Sequence, residues 1–233
     1  MRLVGERRAV AAAVLACLAL LFALGAFGGP PQLFPIFIGM LAAYVVAFVG
    51  VVALWFWARW YAMGLGFSGL ILAAIASFQM GGLEPEILIF GGAHVLVCLM
   101  LVGHGAASAF DGRRDWRERF RLDDNGVNRL GKAVTRAGAS LPYLIMAGLA
   151  PRDGMGLVLG ALALVAGVAG LRALVQLRTW GLLALAGAGA AVLGSGSGLV
   201  WPFAWPLPLM AGILCAAAVA PFVPDMLRSL RAR

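Results

Sequence analysis

Apolar residues in this chain come in long runs. Ala9 to Phe27, Leu33 to Trp57, Tyr61 to Met80 and Ile87 to Phe110 precede one strongly polar stretch, Asp111 to Lys132. Val127 to Ala150, Met155 to Val175, Trp180 to Val200 and Leu207 to Val223 follow or overlap its end. A helix rises about 1.5 Å per residue, so runs near twenty residues match a hydrocarbon core of about 30 Å. The pattern predicts an all-α fold: a polytopic transmembrane helical bundle of about eight spans. Breakers separate the runs, as Gly28-Gly29-Pro30-Pro31 and Pro151-Arg152-Asp153-Gly154 do. The fifth run is the weakest. Its purely apolar part, Ala137 to Ala150, contains Pro142, and only by reaching back to Val127 does it gain the length of a span.

The polar stretch organises the rest. It holds seven of the eighteen basic residues and five of the ten acidic ones. The predicted domains are therefore residues 1–110, a first four-helix membrane half; 111–126, a cytoplasmic amphipathic linker; and 127–233, a second four-helix half. Within the linker, Gly112 to Leu122 reads as a short helix that puts Trp116 and Phe120 on one face, suited to lying on a membrane surface. Asp123-Asp124-Asn125-Gly126 is a turn signal, and Asp124 or Asn125 is expected to cap the next helix. The halves share a hint of repetition: Arg59-Trp60 and Arg178-Thr179-Trp180 each follow a second run. One shared dipeptide is thin support for a duplication.

Charge sets the orientation. With both termini inside, sixteen of the eighteen Lys and Arg residues are cytoplasmic; Arg152 lies outside and Arg136 lies within a span. This N-in, C-in map is what the positive-inside rule selects. The net charge of +8 is accordingly read as loop charge, with no nucleic-acid partner. Composition agrees, since 63% hydrophobic and 12% charged residues is far from the balance of a soluble domain. Seventeen of the eighteen bases are arginine. With the abundance of Ala and Gly, that suggests a GC-rich bacterial genome and hence the bacterial cytoplasmic (inner) membrane. The basic start and the segment Val14-Leu15-Ala16-Cys17 loosely fit a cleaved leader, but an uncleaved first helix is the expectation. Cys17, Cys98 and Cys215 lie in apolar runs at wide spacing, which gives neither a disulfide framework nor a zinc site.

Two groups of residues are candidates for chemistry. His94 and His104 both fall in the fourth run. On one continuous helix they would sit about 15 Å apart along the axis and about 80° apart around it, so they could not ligate one metal. Each is read either as a neutral histidine bridging helices or as a proton relay or ligand. A haem would need a second axial ligand from another helix. No metal and no cofactor is predicted. The second group is Arg129, Lys132, Arg136, Ser140 and Tyr143, whose spacing keeps them on one face of the fifth run. That stripe is read as a helix end anchored in headgroups or as a binding site for an anionic lipid headgroup or anionic ligand.

Other patterns are structural. Gly64-Leu65-Gly66-Phe67-Ser68-Gly69 fits a dinucleotide fingerprint, but no strand precedes it, so its glycines are helix-packing residues. Gly156, Gly160, Ala163 and Gly167 form a small-residue stripe for close helix contact, within the chain or in a homo- or hetero-oligomer. Gly194 to Gly198 is a candidate broken or re-entrant segment. No residue pattern resembles a known family. The expected function is permease-like or channel-like handling of a small solute or lipid. The rivals are a non-catalytic subunit of a larger membrane complex and an intramembrane redox or lipid-modifying enzyme. The spans hold no acidic residue, which weakens a proton-coupled carrier and a metal-dependent lipid enzyme alike, and the reading leans away from an enzyme.

Overall fold

The structure, a computed structural model, describes residues 2–111, 123–151, 154–195 and 206–224. The predicted linker helix, Arg152, Gly196 to Gly198, Trp201, Trp205 and the C-terminal tail from Asp225 lie outside these. The described residues are helical and contain no strand. They divide into two compact units, Met1–Arg119 and Phe120–Arg233, with the boundary inside the polar stretch.

The first unit contains α1 (Arg2–Gly28), α2 (Phe34–Val52), α3 (Ala58–Met80), α4 (Pro85–Leu101) and the short α5 (His104–Asp111). The second contains α6 (Asp124–Leu149), α7 (Gly154–Val175), α8 (Trp180–Gly194) and α9 (Pro206–Val219), the last followed by a 3-10 turn, Ala220–Phe222. Among the described residues, four segments are long and apolar enough to cross a membrane: Val4–Gly28, Pro31–Val52, Ala58–Met80 and Gly154–Val175. A fifth is obtained if α4 and α5, bent by 76°, count as one broken span. Among the described residues, the seventh and eighth predicted runs give shorter apolar helices, Trp180–Gly194 and Pro206–Phe222. The fifth run gives the 26-residue α6, whose Arg129, Lys132 and Arg136 keep it out of the long apolar set.

The fourth run corrects the sequence reading. It is not one helix. Val102 is extended (φ −79°, ψ 146°), and Gly103 has φ +107°, a conformation that L side chains rarely adopt. His94 and His104 therefore stand on different helices. The expected cap of α6 is also corrected: Asp123, one residue earlier, accepts from the Gly126 N–H at 2.7 Å. That is the usual service of an Asp just outside a helix, satisfying one of the first four unpaired donors.

The two units share one plan. In the first, α1 and α3 each pack against both α2 and α4; in the second, α6 and α8 each pack against both α7 and α9. The corner after the second helix is the same in both. Among the described residues, Leu54 (φ 56°) and Leu177 (φ 60°) are the non-glycine residues with positive φ. Each is followed by a residue whose N–H reaches back five positions: Trp55 to the Gly50 carbonyl at 3.0 Å, and Arg178 to the Ala173 carbonyl at 2.8 Å. This is a Schellman closure with leucine in the left-handed position usually held by glycine. Across each corner one small residue meets another. A Cβ at Gly50 would lie 2.7 Å from that of Ala58, and one at Gly181 would lie 2.8 Å from that of Ala173.

These pairs are in register. Adding 123 to a residue number carries Gly50, Leu54, Trp57 and Ala58 onto Ala173, Leu177, Trp180 and Gly181. The same shift carries buried Met40, Tyr44, Ala47 and Val51 of α2 onto buried Ala163, Gly167, Gly170 and Leu174 of α7. It carries buried Ala62, Leu65, Gly66 and Gly69 of α3 onto buried Leu185, Ala188, Gly189 and Val192 of α8. For the fourth helix the shift is 117. Gly91, His94, Cys98 and Leu101 of α4 then match Pro208, Ala211, Cys215 and Ala218 of α9, all buried. Gly66 abuts Cys98 in one unit as Gly189 abuts Cys215 in the other. Trp57, rather than the Trp60 of the shared dipeptide, is thus the partner of Trp180.

Candidate functional sites

His94 sits in the middle of α4 and is fully buried. Its Nδ1 is 2.7 Å from the Phe90 carbonyl, and its Nε2 is 2.6 Å from the Tyr44 hydroxyl on α2. A carbonyl only accepts, so Nδ1 carries a proton. In the neutral ring Nε2 is then a lone-pair acceptor, and the Tyr44 O–H donates to it. Phe22 of α1 stacks on Tyr44 at 5.1 Å, and Phe90 lies 4.3 Å from the imidazole. A Cβ at Gly69 of α3 would overlap the imidazole. Glycine at that position is what lets α3 pass a histidine in the core. Gly66 does the same beside Cys98, so two glycines of the fingerprint-like run are helix-packing residues. His94 thus joins α2 to α4 as a hydrogen-bonded neutral group. His104, at the start of α5, is exposed.

The basic stripe runs from surface to core along α6. Arg129 and Lys132 are exposed, Arg136 is half-buried, and Ser140 and Tyr143 are buried. Arg136 donates from Nη1 to the Ala217 carbonyl of α9 at 2.7 Å. The cause is legible in the chain. Ala217 would normally accept from the N–H four residues on, but that residue is Pro221, which has none. An apolar setting makes an unpaired carbonyl expensive, and the guanidinium satisfies it. Ser140 donates to the Ala137 carbonyl at 2.8 Å and meets the Cys215 thiol of α9. The structure therefore brings Arg136 and Ser140 to one helix, α9, and leaves Arg129 and Lys132 facing outward.

A second arginine arrangement was not foreseen from the sequence. Arg7 of α1 donates from Nη2 to the carbonyls of Leu99 (2.5 Å) and Val102 (2.7 Å). Those carbonyls belong to the end of α4, where the last turn has no onward helix to pair with. Arg59, at the start of α3, points Nη1 at the Gly103 carbonyl, 3.5 Å away. So in each unit the fourth helix has carbonyls without their usual donors, at the Val102-Gly103 break of α4 or at Ala217 of α9, opposite Pro221. In each, an arginine from the first helix takes the carbonyls released there. Pro221 was visible in the sequence, four residues after Ala217; the partner of Arg7 was not, because ninety-two residues separate it from Leu99. Tyr44, the single hydroxyl in the apolar second run, was visible as an oddity but not as the partner of His94.

Most of the small-residue stripe packs inside the second unit. Gly160, Ala163 and Gly167 are buried, and Gly156 is half-buried. A Cβ at Gly148 of α6 would lie 2.9 Å from the Gly160 carbonyl, and one at Gly167 would overlap Leu144. No protein-family model matches the chain, and neither a curated protein nor a solved structure is significantly similar to it.

Proposed function

We propose that this is a multi-pass protein of the bacterial cytoplasmic membrane, built from two copies of a four-helix unit. Both termini are cytoplasmic, and the protein acts as a permease-like carrier or channel for a small anionic solute or an anionic lipid. The observation that carries this reading is an arginine from the first helix of each unit holding fourth-helix carbonyls whose usual donors are removed, by the Val102-Gly103 break in one unit and by Pro221 in the other. Transporters built from parallel repeats commonly place broken helices at corresponding positions, because irregular backbone in a membrane is tolerated only where other groups satisfy it. Here arginines do so, and the guanidinium that satisfies a carbonyl keeps further N–H donors for an anion. Arg129 and Lys132 form the approach to Arg136, with Ser140 and Tyr143 beyond it on the same helix.

Reconstitution into liposomes tests the proposal. Efflux of a panel of small anions and scrambling of a labelled anionic lipid are followed side by side. Arg136→Gln is expected to slow the supported flux at least about tenfold, while Arg172→Gln, an exposed change on α7, leaves it unchanged. Folded protein that moves neither class would favour the reading as a non-catalytic subunit. Orientation is tested separately with reporter fusions. Those after Ala58 and at the tail should report cytoplasm, and those at Gly82 and Gly154 the outside. A cytoplasmic signal at Gly154 would remove the fifth crossing.

A further inference from the structure

We infer that the joint between α4 and α5 is a two-state hinge that responds to bilayer thickness. In the bent state, the one in the structure, the helices meet at 76°, Arg7 holds the end of α4, and α5 packs on α1. In the straight state Pro85 to Asp111 runs on as one helix. The inference concerns conformation and does not depend on what the protein transports.

The hydrogen bonds of the two states match one for one. Only Val102 and Gly103 separate the two helices. The φ of Val102, −79°, already suits a helix, so its ψ and the torsions of Gly103 are all that must change. The Arg7 Nη2 serves the carbonyls of Leu99 and Val102. In a continuous helix those two carbonyls accept from the N–H groups of Gly103 and Ala106, four residues on. The guanidinium thus stands in for two backbone donors that the bend withdraws. Straightening returns them. The Ala107 N–H donates to the Gly103 carbonyl at 3.0 Å, a bond common to both states. Gly92, inside α4, shows that glycine alone does not stop this helix. α9 has no such alternative. Pro221 lacks an N–H in any conformation, so no backbone donor can replace Arg136 at the Ala217 carbonyl.

Packing holds the bend. Ala106 and Phe110 are buried, and a Cβ at Gly105 would lie 3.2 Å from the Val4 side chain of α1. His104 and Ser108 stay exposed. Length works against the bend. α4 has 17 residues, about 25 Å, which is short of a hydrocarbon core of about 30 Å. Continuing to His104 brings the helix to about 30 Å and sets that imidazole at the interface. A thick bilayer therefore favours the straight state and a thin one the bent state. The cost per ångström of mismatch is small, but it sums over the deficit. α5 leads directly into the polar stretch, so the hinge sets where that stretch begins.

Thiol labelling of the full chain tests the hinge. Ala106→Cys is made with Cys17, Cys98 and Cys215 replaced by Ala, and the protein is reconstituted in short-chain dimyristoleoyl or long-chain dierucoyl phosphatidylcholine. A water-soluble maleimide reaches position 106 only when α5 leaves α1. Labelling is expected to be about tenfold faster in the long-chain bilayer. Within one bilayer it should be at least about tenfold faster in Arg7→Gln than in Arg8→Gln, because two charge-assisted bonds of the bent state are lost. If Arg7→Gln fails to fold, Gly103→Ala keeps the test. Alanine rarely adopts φ +107° but continues a helix, so it should speed labelling as well. A spin-label pair at Ile89 and Ser108 separates straightening from fraying. Straightening lengthens the mean distance by about 5 Å, whereas fraying only broadens the distribution. Equal labelling in the two bilayers, equal labelling of Arg8→Gln and a folded Arg7→Gln, or faster labelling without the longer distance overturns the inference.

Discussion

The interiors of the two units solve one packing problem in opposite ways. In the first, bulk and polarity sit on the second and fourth helices, as Tyr44 and His94, and the third helix yields with Gly69. At the matching positions the second unit has Gly167, Ala211 and Val192, all buried. There the space at Gly167 is taken by Leu144, which comes from the first helix. At these matched positions the same four-helix plan thus closes with a hydrogen-bonded His–Tyr pair or with small and aliphatic residues. The plan does not require the polar pair. A hydrogen bond between membrane helices contributes only about 0.6–2 kcal/mol, so stability gives little reason to prefer it. What the pair adds is a fixed tautomer and a defined link between α2 and α4. The cysteines show the complementary case: Cys98 and Cys215 match in position and burial, each opposite a glycine of the third helix.

The sharpest way to break this comparison is to move the second unit's solution into the first. Gly69→Val forces a branched side chain into the imidazole. Overpacking commonly costs about 1–3 kcal/mol, and a direct overlap with a buried ring should exceed that range. The expected outcome is loss of monodisperse protein in detergent. Adding His94→Ala should restore most of the recovery, because the valine then occupies vacated space as Val192 is expected to do beside Ala211. If the double variant is recovered no better than Gly69→Val alone, the two cores do not share a register.

A second cycle probes the helix interruptions. Arg136→Gln leaves the Ala217 carbonyl without its donor, and a buried polar group stripped of its partner costs about 1–3 kcal/mol. In a Pro221→Ala background the backbone N–H returns. The same change should then cost at least about 1 kcal/mol less, read as a smaller drop in unfolding midpoint in the same detergent. An equal drop in both backgrounds would mean that Arg136 serves something other than that carbonyl. Arg7 has no equivalent rescue, since its carbonyls are released by the extended Val102 and not by a proline.

How much of this was readable in advance depends on the range of the interaction. Helical class and the long apolar segments follow from local composition, so Ala9 to Phe27 and Met155 to Val175 were found nearly as they stand. The break at Gly103 was missed because Val102-Gly103-His104 looks no worse for a helix than Gly91-Gly92, which continues one. The difference is the capping by Arg7, a partner far away in sequence. His94 read as either a bridging histidine or a relay or ligand, because residue type and setting go no further; naming Tyr44 as its partner needed the fold. The repeat was nearly invisible because its matches are small residues and packing positions, and small residues abound throughout the chain. The dipeptide that hinted at it joined the wrong tryptophan.

The smallest expected effect tests the repeat most directly, at the two corners. Leu54 and Leu177 hold a left-handed conformation that costs an L residue roughly 1 kcal/mol, and both are half-buried. Replacing either with Gly relieves that strain but gives up about 1 kcal/mol of apolar burial. The net change should be within about 0.5 kcal/mol of zero and of the same sign in both units. Leu54→Val and Leu177→Val keep apolar surface and worsen the conformation, because a β-branched residue is a poor fit at positive φ. Each should therefore lie about 1 kcal/mol below its glycine counterpart. Unfolding midpoints of the four variants decide the matter. Paired responses support equivalent corners, and a penalty seen only at Leu54→Val would show that the α7–α8 corner is closed by something other than the same Schellman turn.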